Sequence, residues 1–127
     1  MAWIAEGLEE GTERVTLPEE VINAYAGPFL QSKTRKPMYQ LPREWIESRG
    51  FLEEVGSGLK ALAHLPVLIC WANKDLVFRS EERIRFERMF RHHKTVVLVG
   101  AGHYFQEDAV QDVLSAIRSW WDEVMPD

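Results

Sequence analysis

The sequence predicts an α/β fold built on a parallel sheet, and three observations carry that prediction. Two short apolar runs, 65–71 and 95–99, have the length of strands buried on both faces, and the second is rich in β-branched residues. A helical pattern follows each run, so strand, helix, strand, helix makes a βαβα unit with an expected right-handed crossover. A polar residue stands beyond each run, Asp75 after the first and His103 after the second. Open parallel sheets keep their chemistry at the carboxyl ends of their strands.

Ahead of this unit the chain is helical and rich in loops. Thr16-Leu17-Pro18-Glu19 reads as a capping box opening a helix whose apolar face is Val21, Ile22 and Tyr25, with Gly27-Pro28 ending it. From Phe29 to Leu41 no period is sustained, which predicts an irregular connection held by Phe29, Met38 and Tyr39. Pro42 suits the first turn of a short helix carrying Trp45 and Ile46. Leu52, Val55, Leu59 and Leu62 recur at helical spacing despite Gly56 and Gly58. In the second half, Ser80 is placed to cap a helix whose first turn holds Glu81 and Glu82 and whose buried side includes Ile84, Met89 and Phe90. Val110, Val113, Leu114, Ile117 and Trp121 trace the stripe of a last helix, with Trp121 expected to face inward.

Composition narrows the function classes. A length of 127 residues suits one domain, and 46% hydrophobic with 28% charged residues is a globular balance rather than a disordered one. A net charge of -5, with Lys and Arg mixed among Asp and Glu, argues against nucleic acid or an anionic membrane as the main partner. The cationic run Lys33-Thr34-Arg35-Lys36 reads as a solvated loop. Cys70 is the single cysteine, so no disulfide framework exists and the residue reads as a small hydrophobe inside a strand. No run reaches transmembrane length and no secretory signal is evident, which makes a cytoplasmic, soluble protein the expectation.

Asp75 and His103 form an acid–base pair that lacks a nucleophile. Gly56-Ser57-Gly58 has no preceding strand and does not supply one. His64, His92 and His93 read as helix-end residues favoured by the dipole, with no partners at metal-ligand spacing. Glu107 and Asp108 read as structural carboxylates opening the last helix. Trp3 has no register that would place it.

Pro66-Val67-Leu68-Ile69, the turn with Lys74-Asp75, the following Leu76-Val77-Phe78, and Gly100-Ala101-Gly102-His103-Tyr104-Phe105-Gln106-Glu107-Asp108 resemble the C-terminal end of α/β-hydrolase-fold enzymes. Leu17-Pro18-Glu19-Glu20, Ala24-Tyr25-Ala26-Gly27-Pro28-Phe29-Leu30, Arg35-Lys36-Pro37 and Leu41-Pro42 are similar to the end of the helical cap of haloalkane dehalogenases. The resemblance divides the chain into 1–50, the end of a cap, and 51–127, the C-terminal part of the main domain with an incomplete sheet. Epoxide hydrolases share the C-terminal pattern, but their cap signature is not found in this sequence.

By that resemblance His103 matches the catalytic base and Asp75 the acid that orients it, while Pro28, Phe29, Leu76 and Val77 match positions walling a small apolar cavity for a halogenated substrate. The implied reaction needs no cofactor and no metal. An aspartate nucleophile attacks the carbon bearing the halogen, and the histidine activates water against the resulting ester. The nucleophile elbow, the early strands and the halide-binding Trp have no match here. Three expectations follow for such a chain: half of a split enzyme completed by an N-terminal hydrolase half, a truncated product, or self-association through strand pairing. A noncatalytic binding or self-associating protein, or half of an epoxide-hydrolase-like enzyme, stays open as the alternative.

Overall fold

The structure, a computed structural model, describes residues 2–126. Its centre is a pair of parallel strands, β1 (Val67–Ala72) and β2 (His93–Leu98), in register from Val67 opposite His93 to Ala72 opposite Leu98. Helix α5 (Ser80–Met89) makes the crossover between them, and α6 (Phe105–Asp108) and α7 (Val110–Val124) follow β2. Alternate residues of a strand point to opposite faces. Cys70, Ala72, Val96 and Leu98 meet Phe105, Ala109 and Val113, so the α6–α7 side covers one face and forms the core. Thr95 points the other way, and its hydroxyl donates to Glu87 of α5 at 2.9 Å.

The βαβα order is as expected, but the strands are not buried on both faces. Val97 is exposed and Val99 is 69% exposed, because two strands offer α5 and α7 more surface than they cover. Helix α7 is also turned from its expected setting. Its buried side runs through Val113, Ala116, Trp120 and Val124, leaving Val110, Leu114, Ile117 and Trp121 (54% exposed) outside. The cause is the break at Ala109 (φ -138°, ψ 37°), which ends α6 and reorients the chain before α7 begins. Bonds from Lys94 to Ser119 and Glu123 pin that orientation from β2.

The N-terminal half is helical: α1 (Ala2–Glu10), α2 (Glu19–Ala26), α3 (Lys36–Glu47) and α4 (Arg49–Leu59), with 3-10 turns at Gly27–Phe29, Ser32–Arg35 and Lys60–Leu62. The capping box at 16–19 does not form. Pro18 occupies the N-cap of α2, where its carbonyl receives the Val21 and Ile22 amides, and Glu19 and Glu20 favour the amino end by charge alone. Ser80 is likewise the first residue of α5 and not its cap; the Arg79 amide donates to the Glu82 carboxylate at 2.9 Å. Leu52, Val55 and Leu62 do lie on helical backbone, yet all three are exposed.

Residues 36–47 depart most from expectation. The irregular connection and short helix are one continuous helix, with Pro37 in the first turn, where no amide is needed, and Pro42 inside. Met38, Leu41 and Trp45 recur at helical spacing, but Leu41 and Trp45 are exposed, so the stripe buries little along α3. Tyr39 holds nothing, being 80% exposed. Pro42 forfeits the bond to the Met38 carbonyl, so Pro42→Ala is expected to stabilise α3 by about 1–3 kcal/mol. Circular dichroism should show increased helicity that melts later.

Candidate acid–base site

The site is assembled by stapling the turn after β1 to the loop after β2. The Lys74 amide donates to the Ala101 carbonyl at 2.9 Å, and the Gly100 amide donates to the Asn73 side chain at 2.6 Å. Gly100 sits at φ 83°, a left-handed conformation that other residues adopt only with strain, and this lets the loop double back. Asp75 and His103 are thereby brought side by side from opposite ends of the crossover.

His103 Nδ1 lies 3.1 Å from Asp75 Oδ1 and 3.0 Å from Oδ2. Oδ1 also accepts the Val77 amide at 2.8 Å and the Phe78 amide at 3.0 Å. Burial pushes the Asp75 carboxyl up, but the Phe78 amide, His103 and the Val77 amide outweigh it and hold the carboxyl below its usual value. An ionised carboxylate accepts only, so Nδ1 carries the proton and Nε2 keeps a lone pair for a base's work. Phe78 and Tyr104 flank the imidazole at centroid distances of 5.6 and 5.1 Å. The Asp75 side chain is 8% exposed and that of His103 30%, so the acid is shielded while the base meets solvent.

His103 opens on a cavity of about 260 Å³ whose lining includes Leu76, Val77, Glu10, Lys74 and Tyr104. Pro28 and Phe29 lie apart in the Gly27–Phe29 turn and do not line it. Ser57 is inside α4 with its hydroxyl donating to the Glu53 carbonyl at 2.9 Å. His64 and His93 bond the helix-end carbonyls of Ala61 and Phe90 at 2.9 and 2.6 Å. Burial raises the Cys70 thiol above its ordinary value. Among the described residues, no group of three or more His, Cys, Asp or Glu side chains could hold a metal ion.

Asp108 has a larger part than its place at a helix start foretold. It is 5% exposed and accepts four backbone amides, from Glu13 at 3.0 Å, Arg14 at 2.6 Å, Val15 at 3.0 Å and Gly102 at 2.8 Å. Arg14 adds an ion pair with Asp112 at 2.6 Å and a bond to the Val99 carbonyl. A Cβ on Gly102 would run into the Gly11 carbonyl, and one on Gly11 into the Tyr104 ring. Tyr25 of α2 donates to Glu107 at 2.8 Å. The segment after α1 is therefore fastened to the loop carrying His103. Sequence spacing held no sign of it, since the partners are more than 90 positions apart.

No family model matches the chain. The haloalkane dehalogenase DbeA from Bradyrhizobium elkanii superposes on 94% of this chain with a TM-score of 0.79 and 26% identity. The chain carries part of the α/β-hydrolase fold. A serine hydrolase of carbazole degradation shares that fold at a TM-score of 0.71 and 16% identity, over 94% of this chain. Among curated proteins, haloalkane dehalogenase 2 of Mycobacterium tuberculosis is 32% identical over 85 residues, 65% of this chain and 30% of the relative. The cis-3-alkyl-4-alkyloxetan-2-one decarboxylase of Shewanella oneidensis is 24% identical over 118 residues, 89% of this chain and 37% of the relative. The chain thus spans about a third of those curated relatives, and 42% and 46% of the two solved structures. Among the described residues, no helix is long and apolar enough to cross a membrane.

Proposed function

We propose that this chain supplies the acid and base of a haloalkane-dehalogenase-like hydrolase whose nucleophile comes from a complementary hydrolase portion. The observation that carries the reading is the contact of 3.0 Å between Asp75 and His103 Nδ1 beside a small cavity. In the proposed reaction a carboxylate of the complementary portion attacks the carbon bearing the halogen, the carbon–halogen bond breaks, and halide leaves. His103 Nε2 then takes a proton from water as the water oxygen adds to the ester carbonyl. Collapse of that adduct breaks the acyl–oxygen bond, and the His103 imidazolium returns its proton to the departing oxygen so that the alcohol leaves. The carboxylate is regenerated as the remaining acid proton passes to solvent. Leu76 and Val77 support a small apolar substrate. Pro28 and Phe29 join that wall only if the complementary portion brings their turn closer.

A test mixes the chain with the nucleophile-bearing N-terminal portion of a related dehalogenase and follows halide release from short haloalkanes. Neither part alone should turn over, the mixture should, and His103→Ala in the mixture should abolish it. Sustained turnover with His103→Ala would remove the histidine from the mechanism. The longer span shared with the oxetan-2-one decarboxylase favours a second reading, opening of a strained cyclic ester with loss of carbon dioxide. Carbon dioxide in place of halide would select it. A concentration-dependent oligomer that never turns over with any added portion would instead favour self-association through the strand edges.

A further inference from the structure

We infer that Asp108 is a positioning residue for His103, acting through the backbone. Its carboxylate binds the amide of Gly102, the residue immediately before His103, and the same carboxylate binds the Glu13, Arg14 and Val15 amides of the segment after α1. One side chain therefore sets the distance between two pieces of chain that both border the cavity, since Glu10 and Gly11 as well as His103 and Tyr104 line it. The Tyr104 amide, on the far side of His103, donates to the Gly11 carbonyl at 2.9 Å, so both neighbours of the histidine are tied to the same segment.

Two further observations separate a locating role from mere packing. The close approach of Gly102 to the Gly11 carbonyl leaves no room for a Cβ, so the two segments meet backbone against backbone. The Asp108 side chain takes none of its bonds from the catalytic pair; it reaches His103 directly through Gly102 and, on the far side, through the segment after α1 that holds Tyr104. If the joint opens, the Asp75 carboxylate stays where the Val77 and Phe78 amides hold it, while the imidazole moves with its loop. The expected consequence is loss of the Nδ1 contact and of the tautomer that it fixes.

The inference deepens the acid–base reading above, yet its test needs no turnover. Nitrogen-15 NMR of the chain with labelled histidine reports the tautomer of neutral His103. The wild type should show predominantly the Nδ1–H form. Asp108→Asn, which puts amide hydrogens against backbone amides, should shift His103 at least fivefold toward the Nε2–H form that free histidine favours. Amide protection at Ile69 and Val96 should persist, showing the strands intact. An unchanged His103 tautomer in a folded Asp108→Asn protein would overturn the inference. Should that variant not fold, Gly102→Ala opens the joint from the other side, and an unchanged tautomer there would overturn it equally. A tautomer shift without halide release from any completed mixture would leave Asp108 as the locator of His103 and reject only the dehalogenase chemistry.

Discussion

Asp75→Asn in the completed enzyme is expected to lower steady turnover by about 10⁴-fold, the scale seen when the orienting carboxylate of a Ser-His-Asp triad becomes an amide. The geometry says why the change is so costly. Oδ1 is claimed by the Val77 and Phe78 amides, so the oxygen of an asparagine settles there and its NH₂ turns to the ring. A donor opposite Nδ1 demands a lone pair on Nδ1, which moves the ring proton to Nε2 and removes the base from the side facing the cavity. Displacement of halide does not require that base in the proposed sequence. Rapid-quench measurements should therefore find one halide released per site at a near-normal rate, followed by a stall. Steady turnover within about tenfold of wild type would contradict the assigned role of Asp75. Because the Asp75 carboxyl sits below its usual value, its ionisation should not limit activity above pH about 4.

The parts of this site that the sequence disclosed are those whose signal is local. A buried strand followed by a polar turn places Asp75, and a strand followed by Gly-Ala-Gly places His103; parallel pairing of adjacent runs then forces the two together. Strand limits shifted by a residue or two, as is usual where the ends fray. What escaped the sequence was non-local or depended on surface area. The exposed faces of Val97 and Val99 follow from how much covering the described helices provide for two strands, and that of Trp121 from the break at Ala109, neither of which a period reveals. The helix through Pro42 was hidden because local proline rules disfavour a helix interior at that position. Asp108 looked like a helix-start carboxylate because its spacing fits one; its true partners are backbone amides, which carry no sequence signature.

Asp108→Ala is expected to cost about 2–4 kcal/mol of stability, a large share of the roughly 5–15 kcal/mol that holds a domain folded. The alanine leaves the buried Gly102 amide without its acceptor at a cost of about 1–3 kcal/mol, while water recovers part of the loss at the part-buried Glu13, Arg14 and Val15 amides. Urea unfolding at pH 7 should show the loss as a lower midpoint with little change in slope. The same carboxylate predicts the acid behaviour of the wild type. Burial raises the Asp108 carboxyl, but the Glu13, Gly102, Arg14 and Val15 amides prevail and hold it below its ordinary value. A group depressed on folding contributes stability that is complete above its unfolded pKa, about 3.9, and is lost as pH falls through the folded one. Asp75 is depressed as well and acts in the same direction. Wild-type stability should thus stay level from pH 7 to about 5 and drop below about 4, whereas Asp108→Ala, already without that contribution, should fall less steeply over the same acid range. Parallel slopes for the two proteins would mean that Asp108 is not the group whose protonation unfastens the segment after α1 from the histidine loop.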